Sequence, residues 1–175
     1  MHKTLVVHNR YAWRSHRTRA ALAAEQGLQL LTIEQLAARL AGGFLQPIDP
    51  DAFKVAVAAA VIQPLGELDA IKTLPGFQRA AATTLAKAWT AGLSLGEESE
   101  SATDAGAKVR LASLAVLERE VLAQLPKNQL RPRDLVDVAS KRVTHARAIF
   151  GRVEIHGRTE MSPVWRPLLA MIAQR

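Results

Sequence analysis

The stretch Thr4-Leu5-Val6-Val7-His8-Asn9-Arg10-Tyr11-Ala12-Trp13-Arg14 (TLVVHNRYAWR) decides how this chain is read. Thr4–Val7 is a short run without polar alternation, the pattern of a strand covered on both faces. The turn that begins at His8 leads into a basic helix, expected over Tyr11–Gln26, with Gly27 placed to end it. A strand-turn-helix unit that holds nucleotide phosphates needs glycines in the turn, so that backbone N–H groups can curl around a phosphate. A Lys-Ser or Lys-Thr pair must then reach the phosphates and Mg²⁺. None of these residues is present, and the first glycine of the chain is Gly27. The opening has the layout of an ATPase-type α/β domain without the groups that grip a triphosphate, and no cofactor is expected.

Working outward, Leu28-Gln29-Leu30-Leu31 is a second strand candidate. Strand, helix and strand with short connections predict a parallel pair with a right-handed crossover. Thr32 opens the next helix with a capping box completed by Gln35. Ile33, Leu36, Ala37 and Leu40 share one face, and Gly42-Gly43 stops the helix. Asp49 and Pro50 start another helix as N-cap and first residue, running to about Gln63. Its apolar residues (Phe53, Val55, Val57, Val61, Ile62) lie nearly all round, which predicts burial. Leu74-Pro75-Gly76-Phe77 opens a helix with Ala81, Leu85, Ala88 and Trp89 inward. The acidic run Glu97–Ser101 reads as a mobile loop. Helices are expected over Asp104–Leu125, with Leu114, Leu117, Val121 and Leu125 on one stripe, and over Pro132–Arg147, with Leu135, Val138, Ala139 and Ala146 inward. Arg152–His156 alternates with period two, as a half-exposed strand does. Ser162-Pro163 then caps a last helix whose inner face is Trp165, Leu168, Leu169 and Ile172. The predicted fold is α/β, mostly α by content: a small parallel, Rossmann-like sheet of strands 4–7, 28–31 and 152–156. Residues 1–44 and 149–175 form the sheet part, and 45–148 an inserted all-helical lobe.

Composition narrows the function classes. The hydrophobic fraction of 49% supports a real core, and the aromatic content of 5% favours helices packed through Ala and Leu. There is no cysteine, so disulfides and thiolate metal sites are excluded. No apolar run is long enough to cross a bilayer, and the N-terminus lacks the features of a signal peptide, so the expected location is cytoplasmic without a membrane partner. A net charge of +7 and a pI near 10.4 are compatible with nucleic acid as a partner.

Three local signatures, in this order, resemble the N-terminal part of the AddB-type subunit of bacterial helicase–nucleases, a relative of superfamily 1 helicases that usually ends in a PD-(D/E)XK nuclease domain. They are Leu30-Leu31-Thr32-Ile33-Glu34-Gln35-Leu36-Ala37, Leu74-Pro75-Gly76-Phe77-Gln78-Arg79-Ala80, and Val153-Glu154-Ile155-His156-Gly157 followed by Met161-Ser162-Pro163-Val164-Trp165-Arg166-Pro167-Leu168-Leu169. Two departures stand out: some members carry a Walker A loop after the first strand, and the family favours Phe where this chain has Arg158. The resemblance implies a helicase motor-like sheet and a non-catalytic scaffold role in DNA double-strand break repair and recombination. Its partners would be DNA and either the remaining lobes of the parent protein or a motor helicase subunit. The full-length family is an ATP-dependent helicase–exodeoxyribonuclease subunit. At 175 residues this chain has room only for the first helicase-like lobe and its helical insertion.

Arg10, Arg14 and Arg17 recur at i, i+4, i+7 and share a helix face, with His16 and Arg19 adding positive potential. The functional reading is a DNA-contacting stripe of Arg10, Arg14, Arg17, Arg19 and Trp13, in which Trp13 and Tyr11 stack on bases. The competing readings are a solvated face, a surface that pairs with acidic residues of other lobes, and, for Trp13, ordinary packing. His2, His8, His16, His145 and His156 show no metal spacing. His8 and His156 each follow or end a strand and are expected at the C-terminal edge of the sheet, where open α/β folds bind ligands. That edge is the basis of a small-molecule-binding alternative; the other alternative is a protein-interaction module without DNA affinity. Glu97, Glu98 and Glu100 read as solvated, Asp49 and Asp51 as helix-start residues, and Ser113, Ser140 and Ser162 have no partners in a nucleophile motif. No catalytic or metal set is expected.

Overall fold

The computed structural model describes residues 3–157 and 161–174; His2 and Arg158, both named above, lie outside them. In chain order the elements are β1 (Lys3–Val7), α1 (Arg10–Leu22), β2 (Leu28–Thr32), α2 (Ile33–Leu40), β3 (Gln46–Pro47), α3 (Pro50–Ile62), α4 (Phe77–Ala91), α5 (Leu95–Ser101), α6 (Ala105–Gln124), β4 (Gln129–Leu130), α7 (Pro132–Ser140), α8 (Ala146–Phe150), β5 (Arg152–His156) and α9 (Arg166–Ala173). Short 3₁₀ turns occupy Gly66–Ala70, Val143–His145 and Pro163–Trp165. The chain folds as two compact units, Met1–Pro47 with Leu130–Arg175, and Ile48–Gln129.

In the first unit β1 is the central strand of a three-stranded sheet of order β2-β1-β5, parallel throughout. The register places Val6 between Leu31 and Ile155, and Val7 between Thr32 and His156. Because side chains alternate across a strand, Val6, Leu31, Val153 and Ile155 point to one face. There they join a core built from Leu36, Leu40, Leu135, Ala139, Phe150, Trp165, Leu168 and Leu169. Thr4 is fully buried, and its hydroxyl donates to the Phe150 carbonyl at 2.7 Å, fixing the start of β1 against the end of α8. The Thr32–Gln35 capping box is formed in both directions.

The segment 130–148, expected in the helical lobe, belongs to the sheet unit. Leu135, Val136, Ala139, Val143, Ala146 and Phe150 all bury in the core on the sheet. The expected single helix over Pro132–Arg147 is broken after Ser140 by the 3₁₀ turn Val143–His145, which lets α7 and α8 both reach that core. Helix α1 ends at Leu22, ahead of Gly27. Ala24 takes a left-handed φ of 49°, and the Glu25 N–H returns to the Ala20 carbonyl at 3.0 Å. That is a Schellman-type stop made without glycine. Ser162 precedes the last helical turn but makes no side-chain cap bond.

The second unit is helical. Its core gathers Ala56, Val57, Ala60, Leu65, Leu85, Trp89, Leu117 and Val121. Two expectations fail here. Helix α3 buries only the face of Ala56, Val57, Ala60 and Val61, whereas Val55 is 70% and Ile62 78% exposed. The acidic run is not a loop: Leu95–Ser101 is helix α5. Leu95, its first residue, is buried, and Glu97 and Glu98 sit in its first turn, where the helix dipole favours acids.

Candidate nucleic-acid interface

Helix α1 begins one turn after β1. Asn9 is its N-cap: the side-chain oxygen accepts the Ala12 N–H at 2.8 Å, and the Asn9 carbonyl accepts the Trp13 N–H at 3.1 Å. The helix lies on the sheet face opposite the main core, yet none of its residues is fully buried. Ala12, Trp13, His16 and Ala20 are its half-buried side, and Arg10, Arg14, Arg17 and Arg19 are all exposed. At about 100° per residue, Arg10, Arg14 and Arg17 fall in one narrow stripe, while Arg19 lies about half a turn away, on the flank of His16. The five residues singled out in the sequence therefore divide into a three-arginine stripe, an anchoring tryptophan and a separate arginine.

Trp13 is packed. Its indole N–H donates to the Leu30 carbonyl of β2 at 3.0 Å, and the Arg17 guanidinium stands over its ring at 5.1 Å from the centroid. This cation–π contact fixes Arg17 at the edge of the stripe nearest the sheet. Tyr11 is 80% exposed. Arg10 stands near Glu34, whose carboxyl is pushed up by partial desolvation and drawn down by the Arg10 charge.

The sheet face under α1 changes character from strand to strand. Along one register row it presents Leu30, Leu5 and Glu154; along the next, Thr32, Val7 and His156. Glu154 accepts an ion pair from Lys3 at 2.9 Å and a longer one from Arg152 at 3.4 Å. His16 meets His156 with ring centroids 4.4 Å apart and planes at 74°. Burial first, then His156 and Arg19, hold His16 below the usual imidazole value. His8, expected beside His156, follows Val7, the register partner of His156.

Charge is unevenly divided between the units. Residues 1–47 and 130–175 carry fifteen Lys and Arg against six Asp and Glu, a formal +9, and residues 48–129 carry eight against ten, a formal −2. The whole-chain net charge of +7 conceals this division, which the sequence shows when charge is counted by segment.

Among the described residues no group of three or more His, Asp or Glu stands where a metal could be held. No helix there is long and apolar enough to cross a membrane. Ser113 is structural: its hydroxyl donates to the Val109 carbonyl and accepts the Glu67 N–H, each at 3.2 Å. Glu118 was missed. It is 4% exposed and accepts the Trp89 indole N–H at 2.6 Å and the Leu95 N–H at 3.1 Å. It lies beside an open cleft of about 380 Å³ lined by Ser94, Ser99, Ala112, Ala115, Val116 and Arg119. The sequence signal was its place at i+4 from Leu114 and i−3 from Val121, on the apolar stripe of α6. No protein-family model matches the chain, and no curated protein matches it.

Proposed function

We propose that the sheet unit is a polyanion-binding module that contacts nucleic acid through α1, as part of a helicase-like, Rossmann-like scaffold in a DNA repair or recombination nuclease. The observation that carries the reading is the exposed Arg10, Arg14 and Arg17 stripe in a unit of formal charge +9. Guanidinium groups on one helix face match phosphates along a backbone, and this binding is driven largely by release of counterions. The three local signatures given above support the narrower assignment to a helicase–nuclease scaffold. The packing of Trp13 makes it a support for Arg17, and Tyr11 is left as the aromatic residue able to meet a base.

The test is fluorescence anisotropy with labelled duplex and single-stranded DNA between about 50 and 200 mM salt. The logarithm of the binding constant should fall linearly with the logarithm of salt, and each Arg→Ala change at 10, 14 or 17 should lower that slope by about one. Absence of binding at the lowest salt, or a slope unchanged in the triple variant, overturns the reading.

A second reading, a protein-interaction module, is favoured by one observation: Val55 and Ile62, one face of α3, are 70% and 78% exposed. Single apolar residues at a surface are ordinary, but two at i, i+7 on one helix make a stripe. Retention of a partner that V55K/I62K loses, in a chain without DNA affinity, would favour it.

A further inference from the structure

Beyond the packing of its half-buried side over Val7, two specific contacts tie α1 to its sheet. Trp13 fastens it to β2 through one hydrogen bond, and His16 fastens it to the last residue of β5 through one ring contact. A charge on His16 in this contact would be partly desolvated and would lie close to Arg19, so it weakens the docked arrangement. Among the described residues of the elements packed here, few groups could offset a charge on His16. From α1 itself Arg19 acts on His16. Strand β1 contributes Lys3, and His8 follows it; β2 contributes no ionisable side chain; β5 contributes Arg152, Glu154 and His156. The one carboxylate in this set, Glu154, is already held by Lys3 and Arg152.

We propose that the His16–His156 contact is a proton-operated latch that keeps α1 on the sheet while His16 is neutral and releases it when His16 takes up a proton. The docked helix resists protonation of His16, and a released helix, with its imidazole in water, takes the proton up. Opening is therefore favoured as pH falls below the ordinary histidine value and is at its minimum above it. The outcome is local, because α1 buries none of its own residues completely and covers Val7 alone of the fully buried strand residues named here, while the main core lies on the other face of the sheet.

The experiment is hydrogen exchange on the full chain at about pH 7.5 and about pH 5.5, corrected for the intrinsic chemical rate. The opening constant of residues 10–22 should rise with acid, by up to about tenfold per pH unit for each proton taken up. Protection of β1 and α9 should hold. His16→Phe should flatten the dependence, and His156→Phe should make it shallower. The latch is overturned by an α1 whose opening ignores pH, by a wild-type slope persisting in either variant, or by β1 opening in step with α1.

Discussion

Replacing Glu118 tests how the helical unit is held together. Its side chain is 4% exposed and accepts from two different elements: the Trp89 indole N–H of α4 at 2.6 Å, and the backbone N–H of Leu95, the first residue of α5, at 3.1 Å. Both bonds end on a carboxylate, the stronger kind of hydrogen bond. In Glu118→Gln one oxygen becomes an NH₂, so one of these donors faces another donor, at a cost of about 1–3 kcal/mol. Glu118→Ala withdraws both acceptors and leaves a void, and should cost about 3–5 kcal/mol. Adding Trp89→Phe to Glu118→Gln removes one donor and lets the remaining amide oxygen serve Leu95. The double variant should then be less destabilised than the sum of the singles, by about 1 kcal/mol or more. Urea unfolding gives the free energies, and exchange of the Leu95 amide reports the local bond directly. A Glu118→Gln variant within about 0.5 kcal/mol of the parent, with an unchanged Leu95 amide, would refute the argument.

Ala24 holds a left-handed φ of 49° at the end of α1, so Ala24→Gly should stabilise the protein by about 0.5–1 kcal/mol, read from the shift of the urea midpoint. Asp69 is held below the usual carboxylate value, first by the Lys72 ammonium and then by the Leu65 N–H. Its contribution is present above the unfolded carboxylate value and is lost as pH falls through the lowered one. Asp69→Asn should therefore melt below the parent at neutral pH, with the gap closing in acid, and a gap independent of pH counts against it. Val55→Lys and Ile62→Lys should each change stability by less than about 0.5 kcal/mol, because neither side chain is in the core; a cooperative loss in thermal melts would mean that α3 is packed on both sides.

The sheet was legible because its strands carry strong local signals: apolar runs in β1 and β2, alternation in β5, and a capping box between β2 and α2. The extent of the inserted lobe was not. Residues Pro132–Phe150 are amphipathic like the helices before them, and periodicity says which face is buried but not against which core. Helix α5 escaped because composition outweighed position: an acidic run reads as solvated until the buried Leu95 at its start is known to be anchored by Glu118. The arginine spacing in α1 is visible in the sequence. Placing the residues at about 100° intervals separates Arg19 from Arg10, Arg14 and Arg17, and only the folded contacts show Trp13 turned inward to Leu30.

Burial and charge occupy opposite faces of the same small sheet. On one face Leu31, Leu36, Leu168 and Phe150 are almost wholly withdrawn from water, and burying side chains of this size stabilises by about 1.5–3 kcal/mol each. On the other, α1 covers Val7 but leaves none of its own residues fully buried and exposes four arginines. A helix that buried more of itself would have to exchange arginines for apolar residues or turn them toward the sheet, where Lys3 and Arg152 already meet a single Glu154. Light attachment is thus the physical consequence of charge display. It follows that substitutions on the outer stripe of α1 should alter anion affinity with little effect on unfolding free energy, whereas substitutions in the core should do the reverse.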